Sequence, residues 1–249
     1  LKQVEKLISE GADIIDVGGE STRPGSQPVS VEEELSRVIP VIKEIKKQWP
    51  NIPVSIDSYK YEVVKSALEE GAEIVNDIYA LRYSPEIVDL LKFYPHTKII
   101  LMHMQGTPQT MQVNPQYPNG VIYEIKNFFI DRVKFLLENG IDLGRIIVDP
   151  GIGFGKTTQH NLEIVKNLEN FKCLTINGRN FTFPLLIGLS RKSFIGRILG
   201  TEENPLPPQE RYEGTIILHT YCALHNVDYL RVHDVKVAVQ VAKIVNLLK

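Results

Sequence analysis

Polar side chains able to hydrogen-bond or carry charge close each of seven short apolar segments in this 249-residue chain. Carboxylates, amides and cations all occur among them, so the set could bind a polar heterocycle and an anion side by side. A single Asp after a strand is often the N-cap of the next helix, but capping does not account for all seven positions. These residues are Asp16, Asp57, Asn76 with Asp77, His103, Asp149, Ser190 with Arg191 and Lys192, and Arg231 with His233.

The segment 148–157 (VDPGIGFGKT) combines glycines with an acid and a base. A phosphate-binding loop of the form GxxxxGK[ST] would need Gly at position 150, where the chain has Pro150. The dinucleotide pattern GxGxxG fails as well, because Lys156 stands where the last Gly belongs. The glycines are better explained by a close approach of the backbone to a flat ligand lying over Asp149 and Phe154.

Two further stretches carry cations suited to an anion. The loop 18–25 (GGESTRPG) follows a predicted strand, where loops often carry function, and it contains Thr22 and Arg23. Arg231 and His233 alternate along the last predicted strand, so both side chains point to the same face. An Arg and a His at a strand end predict an oxyanion or phosphate site. The alternative for Arg231 is a buried ion pair with an acid.

Composition narrows the possible classes of protein. Hydrophobic residues make up 43% and charged residues 23% of the chain, as in an ordinary globular enzyme. The net charge of −2 predicts no nucleic-acid partner, and no apolar run or leader-like segment predicts a membrane span or secretion. Cys173 and Cys222 stand apart, so we expect a reduced, cytoplasmic setting. No metal-ligand motif and no GxSxG serine elbow are present.

Apolar runs and helical patterns alternate along the chain, which predicts a parallel α/β sheet. The chain opens in a helix and then shows seven strands, as would an eight-stranded TIM-type (β/α)8 barrel without its first strand. An open, doubly wound sheet is the alternative. No linker divides residues 1–249, which predicts one domain, and residues 172–184 are expected to be a polar excursion. The predicted strands are 14–17, 53–57, 74–78, 98–103, 146–151, 185–190 and 229–234.

Seven stretches together resemble the dihydropteroate synthases of the pterin-binding barrel family. They occur in order, one near almost every strand end, and cover most of the chain. They are GADIIDVGGESTRPG (11–25), PVSIDSYK (53–60), VNDI (75–78), LMHMQGTP (101–108), IIVDPGIGFGKT (146–157), IGLSRKSFIGRILG (187–200) and LRVHDV (230–235).

The resemblance implies a transferase of folate synthesis. Its members join 6-hydroxymethyl-7,8-dihydropterin pyrophosphate to p-aminobenzoate, releasing pyrophosphate and 7,8-dihydropteroate, and sulfonamides compete with p-aminobenzoate. Mg²⁺ bound to the substrate pyrophosphate is implied, with no metal ligand in this chain, and so is a homodimer. The implied catalytic residues are Asp57, Lys192, Arg231 and His233.

The resemblance also implies three groups of binding residues. Pterin would be held by Asp57, Asn76, Met104, Asp149, Phe154, Gly188 and Lys192. The p-aminobenzoate pocket would use Thr22, Arg23, Pro24, Phe154, Lys192 and Ser193, and the pyrophosphate would be held by Arg23, Arg231 and His233.

In the family, a first strand is followed by a mobile loop that carries an Asn and then by a helix. The resemblance begins at that helix. We therefore expect the pterin pocket within this chain, and we expect full turnover to require residues ahead of Leu1. Three alternatives remain open at this point: a methyltetrahydrofolate-dependent methyltransferase, a non-catalytic pterin-binding relative, and an unrelated phosphate-binding barrel enzyme.

Overall fold

Short strands separated by helices make up the chain, and the computed structural model describes all residues from Leu1 to Lys249. Each of the seven predicted strands is present, most of them shorter than predicted, and two further strands form a hairpin. The strands are β1 (Ile15–Gly18), β2 (Val54–Asp57), β3 (Ile74–Asp77), β4 (Lys98–Met102), β5 (Ile146–Asp149), β6 (Cys173–Ile176), β7 (Arg179–Thr182), β8 (Leu186–Ile187) and β9 (Tyr229–Leu230).

Ten helices lie between and around these strands. Amphipathic helices of this kind bury one face against the sheet, as α2 does with Val38, Ile42 and Ile45. The Ser30 hydroxyl caps α2 by accepting from Glu33 N at 3.1 Å. The helices are α1 (Lys2–Ser9), α2 (Val31–Gln48), α3 (Tyr61–Glu69), α4 (Ile87–Phe93), α5 (Val121–Glu138), α6 (Thr158–Lys166), α7 (Glu169–Lys172), α8 (Ser193–Leu199), α9 (Tyr212–Leu224) and α10 (Val235–Leu248).

Parallel pairing follows chain order. Strands β1 to β5 form one sheet in sequence, a parallel bridge from Val148 to Leu185 continues it, and β8 then pairs with β9 in parallel. A doubly wound sheet would reverse its strand order at a switch point, and no reversal occurs here. The predicted TIM-type barrel architecture is therefore confirmed.

The pleat divides the residues of each strand between two environments. Ile74, Ile100, Ile147 and Leu186 form a small apolar cluster on the inner face. The alternate residues join the helices in a cluster of 44 buried side chains. Since side-chain direction alternates, Asp57, Asn76 and Asp149 also face inward, one step closer to the carboxyl ends of their strands.

The hairpin corrects the expectation of a polar excursion at 172–184. Strands β6 and β7 pair antiparallel, and Asn177 and Gly178 turn between them with φ of 51° and 77°. Two consecutive positive φ angles are typical of a type I′ turn, which suits a two-residue hairpin. Leu174 and Ile176 are buried, so the strand has the expected two-residue period. Because only these two apolar side chains show the alternation, the sequence pattern is too weak to predict a strand among the surrounding polar residues.

The loops after β4 and β5 pack backbone against backbone, and glycine permits this contact. Gly151 has a φ of +68°, and a Cβ built on it would lie 2.0 Å from the carbonyl oxygen of His103. Gly140 at the end of α5 has a similar φ of +79° but open space around it.

Replacing these two glycines by alanine separates backbone strain from the close contact. Gly140→Ala should lower the free energy of unfolding by about 1 kcal/mol, the cost of a left-handed alanine. Gly151→Ala should cost about 3 kcal/mol or more, because the two loops must also move apart. Urea denaturation measures both values. Equal losses for the two variants would show that the loop contact contributes nothing.

Candidate active site

One guanidinium faces three carboxylates at the carboxyl ends of the strands. Arg231, which follows β9, has its Nη1 3.7 Å from Asp16 Oδ2 and 3.9 Å from Asp57 Oδ2. Its Nη2 lies 4.0 Å from Asp149 Oδ2. These separations are too long for hydrogen bonds, so Arg231 acts as a shared counter-ion. Asp16, Asn76 and Arg231 border a cavity of about 600 Å³ that lies between β1 and β9.

Burial and the neighbouring charges shift the pKa values of Asp57, Asp149 and Arg231. Burial, followed by the neighbouring Asp16 carboxylate, raises the pKa of Asp57 to about 7, although Arg231 acts in the opposite direction. Burial also raises the pKa of Asp149, against the effects of Arg231 and of the hydrogen bond from Gly151. The pKa of Arg231 is raised because the three carboxylates outweigh its burial. Asp57 therefore changes charge near neutral pH.

An apolar wall with one cation lies beside this cluster. Lys192 Nζ is 4.2 Å from the centre of the Phe154 ring, a cation–π contact. Phe154 packs with Met104 in a buried cluster that also contains Tyr59, Ile78, Met102 and Met111. Burial, followed by the charge of Arg231, lowers the pKa of Lys192 to about 8. Met104 and Phe154, both expected to bind pterin, thus lie together, and Lys192 lies next to them.

The inner face also offers directed hydrogen-bonding groups. Asp149 Oδ1 accepts from Gly151 N at 2.7 Å, which holds that carboxylate in place. Asn76 Nδ2 donates to Asp16 Oδ2 at 3.2 Å, while Asn76 Oδ1 is buried without a hydrogen-bond partner. At Gly188 a Cβ would come within 3.1 Å of Arg231 Nε, so a side chain there would require the guanidinium to shift by a few tenths of an ångström.

The predicted anion and aminobenzoate residues gather at the outer edge of the same region. His233 Nδ1 lies 3.0 Å from Ser190 Oγ. Burial lowers the pKa of His233, and the positive charges of Arg191, Arg23 and Lys192 lower it further, against Asp234. The Arg23 charge also contributes to the lowered pKa of Lys192, and Arg23 lies in an exposed loop between Thr22 and Pro24. Ser193 opens α8 directly after Lys192.

Three of the polar strand-end residues serve the framework instead. Asp77 accepts from Tyr79 N at 2.7 Å and from Leu81 N at 2.8 Å, which shapes the turn after β3. His103 is buried against Lys156, with 3.0 Å between Nδ1 and Nζ. Arg191 makes two contacts to Asp234, at 3.0 and 2.9 Å.

Sequence reasoning missed the anchor of the loop that bears Arg23. The buried Lys60 ammonium lies 2.7 Å from Glu20 Oε2, from Glu34 Oε2 and from the carbonyl oxygen of Val29. Glu20 Oε2 also accepts from Val29 N at 3.0 Å, so both ends of the loop meet at Lys60. Lys60 is 26 to 40 residues away from these acids in the chain. No local pattern signals such a contact.

Comparisons with known proteins cover nearly the whole chain. The family described as pterin binding enzyme matches residues 1–233. Dihydropteroate synthase of Synechocystis sp. is 40% identical over 248 residues, which are 100% of this chain and 81% of that protein. Among crystal structures, Burkholderia cenocepacia dihydropteroate synthase complexed with 7,8-dihydropteroate is 36% identical, with a TM-score of 0.89 over 99% of this chain and 85% of that one. Xanthomonas albilineans dihydropteroate synthase with 4-aminobenzoic acid is 36% identical, with a TM-score of 0.86 over 99% and 83%.

No group of three or more His, Cys, Asp or Glu side chains is arranged to hold a metal ion. None of the helices combines the length and the apolar character needed to cross a membrane.

Removing the loop anchor should loosen the loop selectively. Lys60→Met leaves Glu20 and Glu34 buried without a cation, a change that costs about 3–5 kcal/mol for a buried pair. We expect proteinase K to cut within residues 21–28 at least tenfold faster. Lys60→Arg keeps the charge and should cut nearly as slowly as the wild type. An unchanged cutting rate at this loop in Lys60→Met would contradict the anchor.

Proposed function

Because the chain belongs to the pterin-binding enzyme family and, within it, to the dihydropteroate synthases, we propose that the strand-end site is where it makes dihydropteroate. Such a transferase condenses 6-hydroxymethyl-7,8-dihydropterin pyrophosphate with p-aminobenzoate and releases pyrophosphate in folate synthesis. The observation that carries the proposal is Arg231 among three carboxylates, with Lys192 and Phe154 beside it. One region thus offers acids for a nitrogen-rich ring and cations for its leaving group.

The pterin would lie against the inner residues of the barrel. A pterin edge carries adjacent N–H donors, which a carboxylate such as Asp149 accepts side by side. Asp57 and the free Oδ1 of Asn76 would accept from other ring nitrogens or the exocyclic amine, and Lys192 would donate to the ring acceptors. Met104 and Phe154 would cover the apolar faces, and the bare backbone of Gly188 leaves room beside Arg231.

The second substrate would enter from the loop side. We place p-aminobenzoate among Thr22, Arg23, Pro24, Phe154, Lys192 and Ser193. Lys192 over the Phe154 ring joins the two subsites, since it borders both the proposed pterin face and the start of α8. The Ser193 hydroxyl would meet the aminobenzoate carboxylate, which directs the amine of the substrate inward.

The reaction then needs charge stabilisation and no protein nucleophile. As the C–O bond breaks, its electron pair leaves with pyrophosphate, which Arg23, Arg231 and His233 would neutralise. Positive charge is left on the pterin methylene and ring, where the Asp57 carboxylate would favour it. The amine of p-aminobenzoate attacks the methylene carbon and then loses a proton. Ionised Asp57 is the useful form, and its pKa of about 7 makes that form more abundant as pH rises.

Other parts of the proposal extend beyond the site. Mg²⁺ would arrive bound to the pyrophosphate of the substrate, since no group of His, Cys, Asp or Glu side chains here is arranged to hold the ion. We also propose a homodimer, supported by exposed apolar side chains on the adjacent helices α9 and α10, such as Ile217 and Ile244. A single domain over residues 1–249 is supported by the core cluster that extends from Val4 to Cys222. A cytoplasmic setting stays an expectation from the sequence.

Isothermal titration with the pterin pyrophosphate tests the pocket. The wild-type chain should bind it, and Asp149→Ala and Lys192→Ala should each weaken binding at least a hundredfold, since each removes a charged hydrogen-bonding group. Thr182→Ala, an exposed change in β7, is the matched control and should bind normally. Wild-type affinity in both pocket variants would refute the assignment.

Product formation separates this activity from the related chemistries. With the expected first strand and loop placed ahead of Leu1, dihydropteroate should form from the two substrates, and a sulfonamide should compete with p-aminobenzoate. A methyltetrahydrofolate-dependent methyltransferase would show neither effect, and a non-catalytic relative would bind the pterin without making product.

Arg231 should matter more for the pyrophosphate than for the ring. Arg231→Ala is expected to weaken binding of the pyrophosphate ester at least tenfold more than binding of the corresponding pterin alcohol, because only the ester presents phosphate oxygens to the guanidinium. Isothermal titration of the two ligands against both proteins gives the comparison. Equal losses for ester and alcohol would argue against an anion-binding role.

A further inference from the structure

Asp16 lies on β1 beside the site, and neither the resemblance nor the proposed mechanism gives it a role. Its carboxylate lies between two groups of the site: it accepts from Asn76 Nδ2 at 3.2 Å and lies 3.7 Å from Arg231 Nη1. The side chain is 26% exposed, at the edge of the cavity that Asn76 and Arg231 also border. Asp16 therefore contacts one hydrogen-bonding residue and one cation at once.

The contact with Asn76 decides which way the amide points. A carboxylate only accepts hydrogen bonds, so the amide nitrogen of Asn76 must face Asp16. The amide oxygen is then turned away from Asp16, and it is buried with no partner in the protein. A buried oxygen of this kind is costly unless a donor meets it. It matches a ring N–H or exocyclic amine of a ligand and would reject a ligand acceptor.

The contact with Arg231 decides how the charges are shared. Asp16 lies on β1, which pairs directly with β2, the strand that carries Asp57. Both carboxylates reach the same Nη1 of Arg231, at 3.7 and 3.9 Å. Asp16 thus holds one side of the guanidinium and also repels negative charge on Asp57. Burial is the largest cause of the raised pKa of Asp57, and Asp16 is the largest cause among the charged groups.

We propose that Asp16 is a positioning residue for the ring: it turns the Asn76 carbonyl toward the bound heterocycle and holds Arg231 in place beside it. The inference rests on the proposed function, because the ligand that meets Asn76 is taken to be the pterin. On this proposal, Asp16 and Asn76 together, and not Asn76 alone, make the site prefer a ligand atom that donates a hydrogen bond.

Exchanging the two side chains tests the pair. Asp16→Asn keeps the shape but frees the Asn76 amide to turn, so affinity for the pterin pyrophosphate should fall about tenfold. Asn76→Asp sets two carboxylates against each other and should bind more weakly still. The double variant D16N/N76D restores one donor facing one carboxylate, with acceptors toward the ring, and should bind at least tenfold more tightly than N76D. Isothermal titration measures all four proteins after circular dichroism confirms their folding.

A second readout reports on charge. In wild-type protein, the midpoint of the pH dependence of pterin binding should lie near 7, where Asp57 titrates. In Asp16→Asn it should move about one unit lower, because Asp57 has lost a like-charged neighbour. Asp13→Asn removes one exposed acid just before β1 and is the matched control, with no expected change in affinity or midpoint.

The outcomes separate this inference from the function on which it rests. If the wild-type chain does not bind the pterin pyrophosphate, the proposed function fails. If the wild type binds but Asp16→Asn binds equally well with an unchanged midpoint, only the role of Asp16 is refuted. A double variant that binds no better than N76D would likewise overturn the pairing.

Discussion

A single guanidinium balances three carboxylates at the mouth of this barrel, and the other features of the site depend on that sharing. Burying an unpaired carboxylate is strongly unfavourable, whereas a buried acid near a cation can persist. Because Asp16, Asp57 and Asp149 come from three different strands, the charge balance requires all three to keep their register and direction. A shift by one residue would turn these acids outward into the apolar helix layer. The ion cluster, which we propose as part of the binding site, therefore also constrains the sheet.

The surroundings supply the rigidity that this constraint demands. Below the acids, a layer of Ile and Leu side chains fills the interior. Beside them, the loops after β4 and β5 are held together through Gly151 and through Lys156, whose ammonium lies 3.0 Å from His103 Nδ1. On the open side, Lys60 holds both ends of the Arg23 loop while the middle of that loop stays exposed. The pocket proposed for the pterin ring is thus held rigidly, and it adjoins a less constrained segment that is proposed to contact the second substrate.

Much of this arrangement could be predicted from the sequence, because the physical rules involved are local. Apolar runs of strand length and the helices between them predicted the parallel barrel, and polar residues at the strand ends predicted its rim. A spacing of two residues predicts that Arg231 and His233 share a strand face, but β9 ends at Leu230, before both residues. Side-chain alternation along β3 likewise places Asp77 and Asn76 on opposite faces, but this can be judged only once the bounds of the strand are known. The Lys60 anchor and the Asp16–Asn76 contact join residues 26 to 60 positions apart, and the hairpin at β6 and β7 rests on two apolar side chains. Such features depend on the packed fold, so a linear pattern does not reveal them.

The charge sharing itself can be observed directly. ¹³C-detected NMR of the Asp57 carboxyl carbon, followed from pH 4 to pH 9 in the wild type and in Arg231→Met, reports its ionisation without any ligand. We predict a midpoint of about 7 in the wild type, and a higher midpoint when the guanidinium is removed. A midpoint near the ordinary aspartate value of about 4 in both proteins would contradict the charge sharing, because neither burial beside Asp16 nor Arg231 would then affect the pKa of Asp57.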